Sequence, residues 1–126
     1  MTRLLLDTNV VVWLLLGDRG AVSDRATRLL LDEANSISVS AVSFWEIAIK
    51  RSLGKLEIDA NWAKTLTQLD FNQMPITAEH AALVEHLPWH HRDPFDRLLI
   101  AQARLEDHSL VSADRQMKQY DVEVVW

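Results

Sequence analysis

The segment LLLDTNVVVWLLL, residues 4–16, is apolar except where Asp7, Thr8 and Asn9 interrupt it. Aspartate, threonine and asparagine all favour the start of a helix, so this pattern predicts a short buried strand at residues 3–6 and a buried helix after it. Asp7 then stands at the carboxyl end of the first strand, inside an otherwise hydrophobic region. A carboxylate in this position needs an explanation, which depends on whether other acids accompany it.

Strand-like and helix-like segments alternate along the whole chain. The predicted strands are residues 3–6, 37–40, 109–112 and 122–125, and the predicted helices are residues 10–16, 23–33, 41–53, 61–69, 95–106 and 114–120, with one more helix that begins at Thr77. Alternation of this kind predicts an α/β fold in which helices cover both faces of a central parallel sheet. A chain of 126 residues with 48% hydrophobic content and no linker or repeat is expected to form a single domain, residues 1–126.

Composition excludes several classes of protein and of site. The chain has no cysteine, which excludes a disulfide scaffold and a cysteine-ligated zinc or iron–sulfur site. Its first apolar run is interrupted too early for a membrane span or a signal peptide, so we expect a soluble, cytoplasmic protein without membrane association. The formal net charge of −5 argues against a broad electrostatic contact with nucleic acid. A role on nucleic acid would therefore require a local site, with cations supplied from solution.

Four carboxylates are predicted to meet at one edge of the sheet, because ligands of parallel α/β folds bind beyond the carboxyl ends of the strands. They are Asp7 after the first strand, Asp114 after the strand at residues 109–112, Glu46 early in the helix that follows the second strand, and Asp96 in the first turn of the helix that RDPFD begins. Each acid also has a structural explanation. Asp7 and Asp114 could cap helices, Asp93 and Asp96 suit a helix start, and Glu46 could pair with Lys50 or form a capping box with Ser43.

Capping alone does not require the acids to gather at one edge. Two carboxylates about 4 Å apart repel by about 4 kcal/mol at an effective dielectric constant near 20, so a cluster raises its own pKa values or binds a cation. A hard divalent ion such as Mg²⁺ or Mn²⁺ prefers oxygen ligands of this kind. Since a metal ion acidifies bound water and polarises phosphate oxygens, the cluster favours phosphodiester hydrolysis, with Asp7 as a metal ligand.

Four stretches carry a resemblance to a known family. LLLDTNVVVWLL, VSFWEIAIKRSLGKLEI, RDPFDRLLIAQA and LVSAD occur in this order between residue 4 and Asp114. At these stretches the chain resembles the PIN-domain family and, within it, the VapC-like ribonuclease toxins of bacterial toxin–antitoxin pairs. The resemblance implies a three-layer α/β/α fold and an endoribonuclease that depends on Mg²⁺ or Mn²⁺. It also implies an RNA substrate, a cognate antitoxin as partner and a homodimer.

The resemblance assigns roles to individual positions. The family's acidic set falls on Asp7, Glu46, Asp96 and Asp114, the four carboxylates selected above. In the implied mechanism three of them hold the metal, and Glu46 binds a second ion or positions the attacking water. Thr8, Asn9 and Ser112 fall where the family places small polar residues that order acids and waters, and Asp93 is a candidate fifth carboxylate. Ser112 stands where threonine is common, a departure that keeps the hydroxyl.

Other residues have weaker signals. The histidines near Trp89, which are His86, His90 and His91, predict a solvated loop at the rim of the crevice rather than a zinc site. The basic residues near the acids are Lys50, Arg51, Lys55, Arg92 and Arg97. We expect these side chains to be solvated at the surface; the alternative is that they contact RNA phosphates. Trp13 and Trp45 are predicted in the core or at a subunit interface. Trp89 could pack or stack on a base.

Other functions remain open from the residues alone. A PIN-like module could bind RNA or a protein without cutting, and a nuclease of this kind could process structured RNA instead of acting as a toxin. A haloacid-dehalogenase-type phosphatase needs a second acid where this chain has Asn9, and a response-regulator receiver needs an acidic pair at the first strand end. The sequence lacks both features.

Overall fold

The computed structural model describes all 126 residues, which form a five-stranded, all-parallel sheet with helices on both faces. The strands in chain order are β1 (Arg3–Leu6), β2 (Ser36–Ser40), β3 (Asn72–Met74), β4 (Ser109–Val111) and β5 (Val124–Val125). Their order across the sheet is β3-β2-β1-β4-β5, so β1 is the central strand. The α-helices are α1 (Thr8–Leu16), α2 (Asp24–Leu31), α3 (Ala41–Ser52), α4 (Trp62–Gln68), α5 (Ala78–Leu83) and α6 (Pro94–Leu105).

The central strand is apolar because both of its faces are covered. Leu4 and Leu6 belong to one hydrophobic cluster, which includes Val10 and Val11 of α1. Leu5 points to the opposite cluster, which α6 supplies with Leu99, Ile100 and Ala101. A parallel strand buried on both faces has a continuous hydrophobic run rather than an alternating one. The predicted three-layer α/β/α arrangement is therefore confirmed.

Several helix ends follow the predicted local chemistry. The Ser23 hydroxyl accepts a hydrogen bond from the Ala26 N–H and begins α2. Thr77 forms a capping box with His80 at the start of α5. After α3, Gly54 adopts φ 70°, a left-handed conformation that a glycine at the end of a helix accommodates without strain.

The structure corrects the prediction at three places. The edge strand β3 was not predicted, because the segment Asn72–Met74 is short and largely polar and only Met74 is buried. The predicted helix at residues 114–120 is a 3₁₀ helix, Arg115–Gln119, and the predicted strand at residues 122–125 pairs only at Val124–Val125. Other element ends shift by one or two residues, as fraying ends commonly do.

None of the helices combines the length and the apolar character that crossing a bilayer requires.

Candidate functional site

The predicted carboxylates lie together at the carboxyl edge of the sheet. The Asp7 N–H donates a hydrogen bond to the Val111 carbonyl at 3.0 Å, so the ends of β1 and β4 are adjacent. Asp114 follows β4 and Glu46 lies in the second turn of α3, while α6 contributes Asp96 from its first turn. The charges of Asp7, Glu46 and Asp114 all act on the Asp96 carboxyl.

Asp7 is buried and does not cap α1. It occupies the N-cap position, but its side chain makes no capping hydrogen bond to the helix. Its Oδ2 instead accepts a hydrogen bond of 2.6 Å from the Ser112 hydroxyl. Burial raises the pKa of Asp7; the bonds from Ser112 and the Thr8 N–H oppose this shift, and the charges of Glu46 and Asp114 add to it. The capping explanation is therefore wrong for Asp7.

Asp96 has the most strongly perturbed acidity among the four carboxylates. Burial, followed by repulsion from Asp7, Asp93, Glu46 and Asp114, raises the pKa of Asp96 to about 8. Both causes disfavour the Asp96 anion, and the four neighbouring acids contribute negative charge that a bound cation would offset. Such clusters are common at functional sites.

Glu46 has one satisfied and one unsatisfied oxygen. Oε2 lies 2.6 Å from the Lys50 ammonium, whereas Oε1 is buried without a hydrogen-bond partner. A capping box with Ser43 is excluded because Ser40, whose hydroxyl accepts the Val42 N–H, caps α3. Buried polar atoms are rarely left unpaired, so Oε1 is suited to a water or a cation.

His91 belongs to this site, although the sequence predicted only a solvated loop. Its Nε2 lies 2.9 Å from Asp96 Oδ2 and 2.9 Å from Asp114 Oδ2. The Asp93 N–H donates to Nδ1, so a neutral ring carries its hydrogen on Nε2 and donates it to the two carboxylates. The position of the histidine, two residues before the helix cap Asp93, was the only signal for this contact.

The accessory residues have different environments. Ser112 connects two of the acids, because its hydroxyl donates to Asp7 and accepts from the Asp114 N–H. Thr8 is buried and its hydroxyl hydrogen-bonds with Ser43 at 2.9 Å.

Asp93 and Asp114 do cap helices: Asp93 accepts from the Phe95 and Asp96 N–H groups, and Asp114 accepts from the Gln116 N–H. Asn9 is exposed and its side chain makes no hydrogen bond to the acids.

Arg97 is not a surface residue, which corrects the expectation from its position beside the acids. It is 2% exposed and donates hydrogen bonds to the carbonyls of Val84, Leu87 and Pro88. Its guanidinium also lies 3.8 Å from the centre of the Trp89 ring, whose other face is open to solvent. Arg97 therefore organises the loop that leads to His91 and is not available to a phosphate.

The other predicted aromatic and basic positions are distributed between core and surface. Trp13 is partly buried and packs against Trp126 at a ring distance of 5.8 Å. Trp45 is about half exposed and meets Phe95 edge to face, so it is not part of the core of this chain. Arg92 is exposed, as expected for a solvated charge.

The donor set fits a divalent cation. Ligand atoms of His91, Asp96 and Asp114 all lie within 4.8 Å of one another. Asp7 adds a buried carboxylate beside them, and Glu46 adds an unpaired oxygen. Oxygen-rich, negatively charged sites of this kind suit Mg²⁺ or Mn²⁺ held by the carboxylates, which the His91 Nε2–H orients by hydrogen bonding.

Comparison with known proteins identifies the family and the fold. The model of the PIN domain matches residues 4–123. No curated protein sequence matches the chain. Among solved structures, VapBC2 from Rickettsia felis bound to a promoter DNA fragment has a TM-score of 0.73 at 16% identity, covering 98% of both chains. VapBC-1 from nontypeable Haemophilus influenzae has a TM-score of 0.69 at 15% identity, covering 98% of this chain and 97% of that chain.

A third similar structure is VapBC-5 from Mycobacterium tuberculosis, with a TM-score of 0.63 and 15% identity over 99% of this chain and 98% of that chain. At these identities the similarity concerns the fold, and it extends over nearly the whole length of each protein.

Proposed function

Because the chain belongs to the PIN-domain family, which consists generally of nucleases, we propose that it is an endoribonuclease that depends on Mg²⁺ or Mn²⁺. The observation that carries the proposal is the convergence of Asp7, Glu46, Asp96 and Asp114 from four different elements, with a raised pKa at Asp96. Residues 1–126 would act as one nuclease domain. RNA phosphodiester bonds are the proposed substrate.

The roles of the acids follow from their surroundings. Asp7, Asp96 and Asp114 would hold the metal directly or through water, and Ser112 keeps the Asp7 carboxylate oriented by its hydrogen bond. The metal, when bound, would acidify a water and stabilise charge on the phosphate. The unpaired Oε1 of Glu46 would accept a hydrogen from the attacking water and so aim its oxygen at phosphorus.

We also propose that the protein is the toxin of a toxin–antitoxin pair and acts in the cytoplasm as a homodimer. The support is the fold, since the similar structures named above are VapBC proteins. The antitoxin would place a basic or arginine-bearing segment in the acidic crevice, where it would meet complementary charge. A non-catalytic PIN-like binding module and a housekeeping RNA-processing nuclease are the alternatives.

Cleavage of cellular RNA by the purified protein tests the proposal. We expect cleavage with Mg²⁺ or Mn²⁺ and no cleavage with a chelator. The cleavage rate of Asp7→Asn should be at least about 100-fold lower than that of wild type, because the metal loses a buried anionic ligand. Asp70→Asn is the matched control, since Asp70 is exposed and lies outside the site.

Three outcomes separate the alternatives. Equal cleavage by wild type and a folded, pure Asp7→Asn variant would refute the assignment of the site. Absence of cleavage by wild type under every metal condition would favour a binding module. Cleavage without growth arrest when the protein is expressed alone would favour a housekeeping nuclease over a toxin.

A further inference from the structure

Lys50 joins the surface to the acidic site. Its ammonium Nζ lies 2.6 Å from Glu46 Oε2, and the side chain of Lys50 is 44% exposed whereas that of Glu46 is 5% exposed. Both residues lie on α3, one helical turn apart. The ion pair therefore spans from a buried carboxylate at the centre of the site to the solvent at its rim.

The ammonium also interacts with the rest of the cluster. The hydrogen bond to Glu46 raises the pKa of Lys50 most; burial opposes this shift, and the charges of Glu46, Asp93 and Asp96 add to it, so Lys50 remains a cation. An ammonium has three N–H donors, and the structure contains no second hydrogen-bond partner for this one. Two donors are thus directed away from Glu46 and available to a ligand.

No other basic side chain of the site has this combination of contacts. The Arg97 guanidinium donates hydrogen bonds to backbone carbonyls and lies over the Trp89 ring. Arg92 is exposed and forms no ion pair with any of the acids. An anionic substrate approaching this negatively charged edge needs a cation held in place, because a net charge of −5 provides no general attraction.

We propose that Lys50 is a substrate-binding residue of this site: Glu46 Oε2 fixes its ammonium at the rim, and its two free N–H groups bind a non-bridging phosphate oxygen of RNA. This role rests on the proposed ribonuclease function. Glu46 then uses its two oxygens differently, with Oε1 facing the reacting centre and Oε2 holding the phosphate-binding cation.

The proposed role predicts two opposite effects when the charge of Lys50 is removed. RNA binding should weaken, because a phosphate contact is lost. Mg²⁺ binding should become tighter, because the carboxylates lose a competing positive charge. A lysine that only stabilised α3 or Glu46 would not produce both changes, since damage to the site would weaken both ligands.

The experiment compares Lys50→Met with Lys50→Arg and with Lys64→Met in the full chain. Lys64 is an exposed lysine of α4, so its replacement is a matched control for the change in net charge. RNA binding is measured by fluorescence anisotropy with a labelled single-stranded RNA of randomised sequence, with Ca²⁺ in place of Mg²⁺ and RNA integrity checked on a gel. Mg²⁺ binding without RNA is measured by calorimetry.

We expect Lys50→Met to weaken RNA binding about 5- to 10-fold and to reduce the slope of log K against log salt by about 0.7, the value for one phosphate contact on a single strand. Its Mg²⁺ affinity should rise about 3- to 10-fold. Lys50→Arg and Lys64→Met should stay within about twofold of wild type for RNA, since the first retains a cation and the second lies elsewhere.

Two results would overturn the role of Lys50 while leaving the proposed function intact: RNA affinity and salt slope in Lys50→Met equal to those of Lys64→Met, or a parallel loss of RNA and Mg²⁺ binding. A wild-type protein that binds neither Mg²⁺ nor RNA would refute the proposed function itself. Should Lys50→Met fail to fold by circular dichroism, Lys50→Gln removes the charge but keeps a donor for Glu46 and distinguishes the same outcomes.

Discussion

Replacing Asp96 by asparagine is expected to stabilise the metal-free protein at alkaline pH, although it removes a residue of the site. The pKa of Asp96 rises from 3.8 to about 8 in the folded protein because of burial and the surrounding carboxylates. Between these two values the folded state holds a proton that the unfolded state has lost. The stability of the wild-type protein therefore falls as the pH increases from about 4 to about 8, and is lowest above that range.

The size of the effect follows from this shift. One bound proton changes the free energy of unfolding by about 1.4 kcal/mol per pH unit, which over about four units gives an upper limit of roughly 6 kcal/mol. Solvent reaches 15% of the Asp96 side chain and screens part of the repulsion. We therefore expect Asp96→Asn to be more stable than wild type by about 3 kcal/mol above pH 8, or roughly 10 °C in Tm. The asparagine oxygen can still accept the hydrogen of His91 Nε2.

The assay is thermal unfolding of wild type, Asp96→Asn and the exposed control Asp70→Asn, from about pH 5 to about pH 9, in chelator and in Mg²⁺. In chelator the Tm of wild type should decrease with pH and that of Asp96→Asn should decrease less. In Mg²⁺ at about 100 times its Kd, wild type should gain about 2.7 kcal/mol and recover most of the difference, whereas the variant should gain less.

Two results would refute this reasoning. In one, Asp96→Asn would have the same or a lower Tm than wild type above pH 8 in chelator. In the other, the variant and Asp70→Asn would show the same pH dependence. Either would mean that burial and the neighbouring carboxylates do not disfavour the Asp96 anion in the folded protein.

Two further substitutions test contacts near the site. Arg97→Met should lower the free energy of unfolding by about 3 kcal/mol or more in urea denaturation, because several buried carbonyls lose their donor. The control Arg92→Met, at an exposed position, should change the free energy of unfolding by less than about 0.5 kcal/mol. Equal effects of the two substitutions would contradict the structural role of Arg97. Ser112→Ala should raise the pKa of Asp7 further. It should lower the free energy of unfolding by about 1 to 2 kcal/mol at neutral pH and by less near pH 4, whereas the stability of the control Ser112→Thr should be close to that of wild type. A Ser112→Ala protein with unchanged pH dependence would show that this hydroxyl does not stabilise the Asp7 carboxylate.

The parts of the molecule that depend on strand ends were predictable from the sequence. Parallel strands align their carboxyl ends, so an acid directly after a buried apolar run is placed without knowledge of any contact. This reasoning brought Asp7 and Asp114 together across a large sequence separation. Glu46 and Asp96 followed because each lies near the start of a helix that leaves the same edge.

Features that depend on irregular backbone were not predictable. His91 reaches the acids from a loop without a repeating pattern, whose path is determined by Arg97 and the carbonyls that it binds. An arginine next to an acidic helix start carries no signal that distinguishes this burial from ordinary solvation. The strand β3 was missed for a related reason, since it is an edge strand defined by its pairing with β2 rather than by apolar residues of its own.

The order of the strands also determines when the acidic edge can exist during synthesis. Asp7 is synthesised before its partner, because the Ser112 hydroxyl that it binds lies 105 residues later in the chain. At about 5 to 20 residues per second, roughly 5 to 20 s separate the two. Until β4 has been made and has paired with β1, Asp7 lacks both its hydrogen-bond donor and its neighbour Asp114. The acidic cluster therefore forms only after the whole stretch from β1 to β4 has been made.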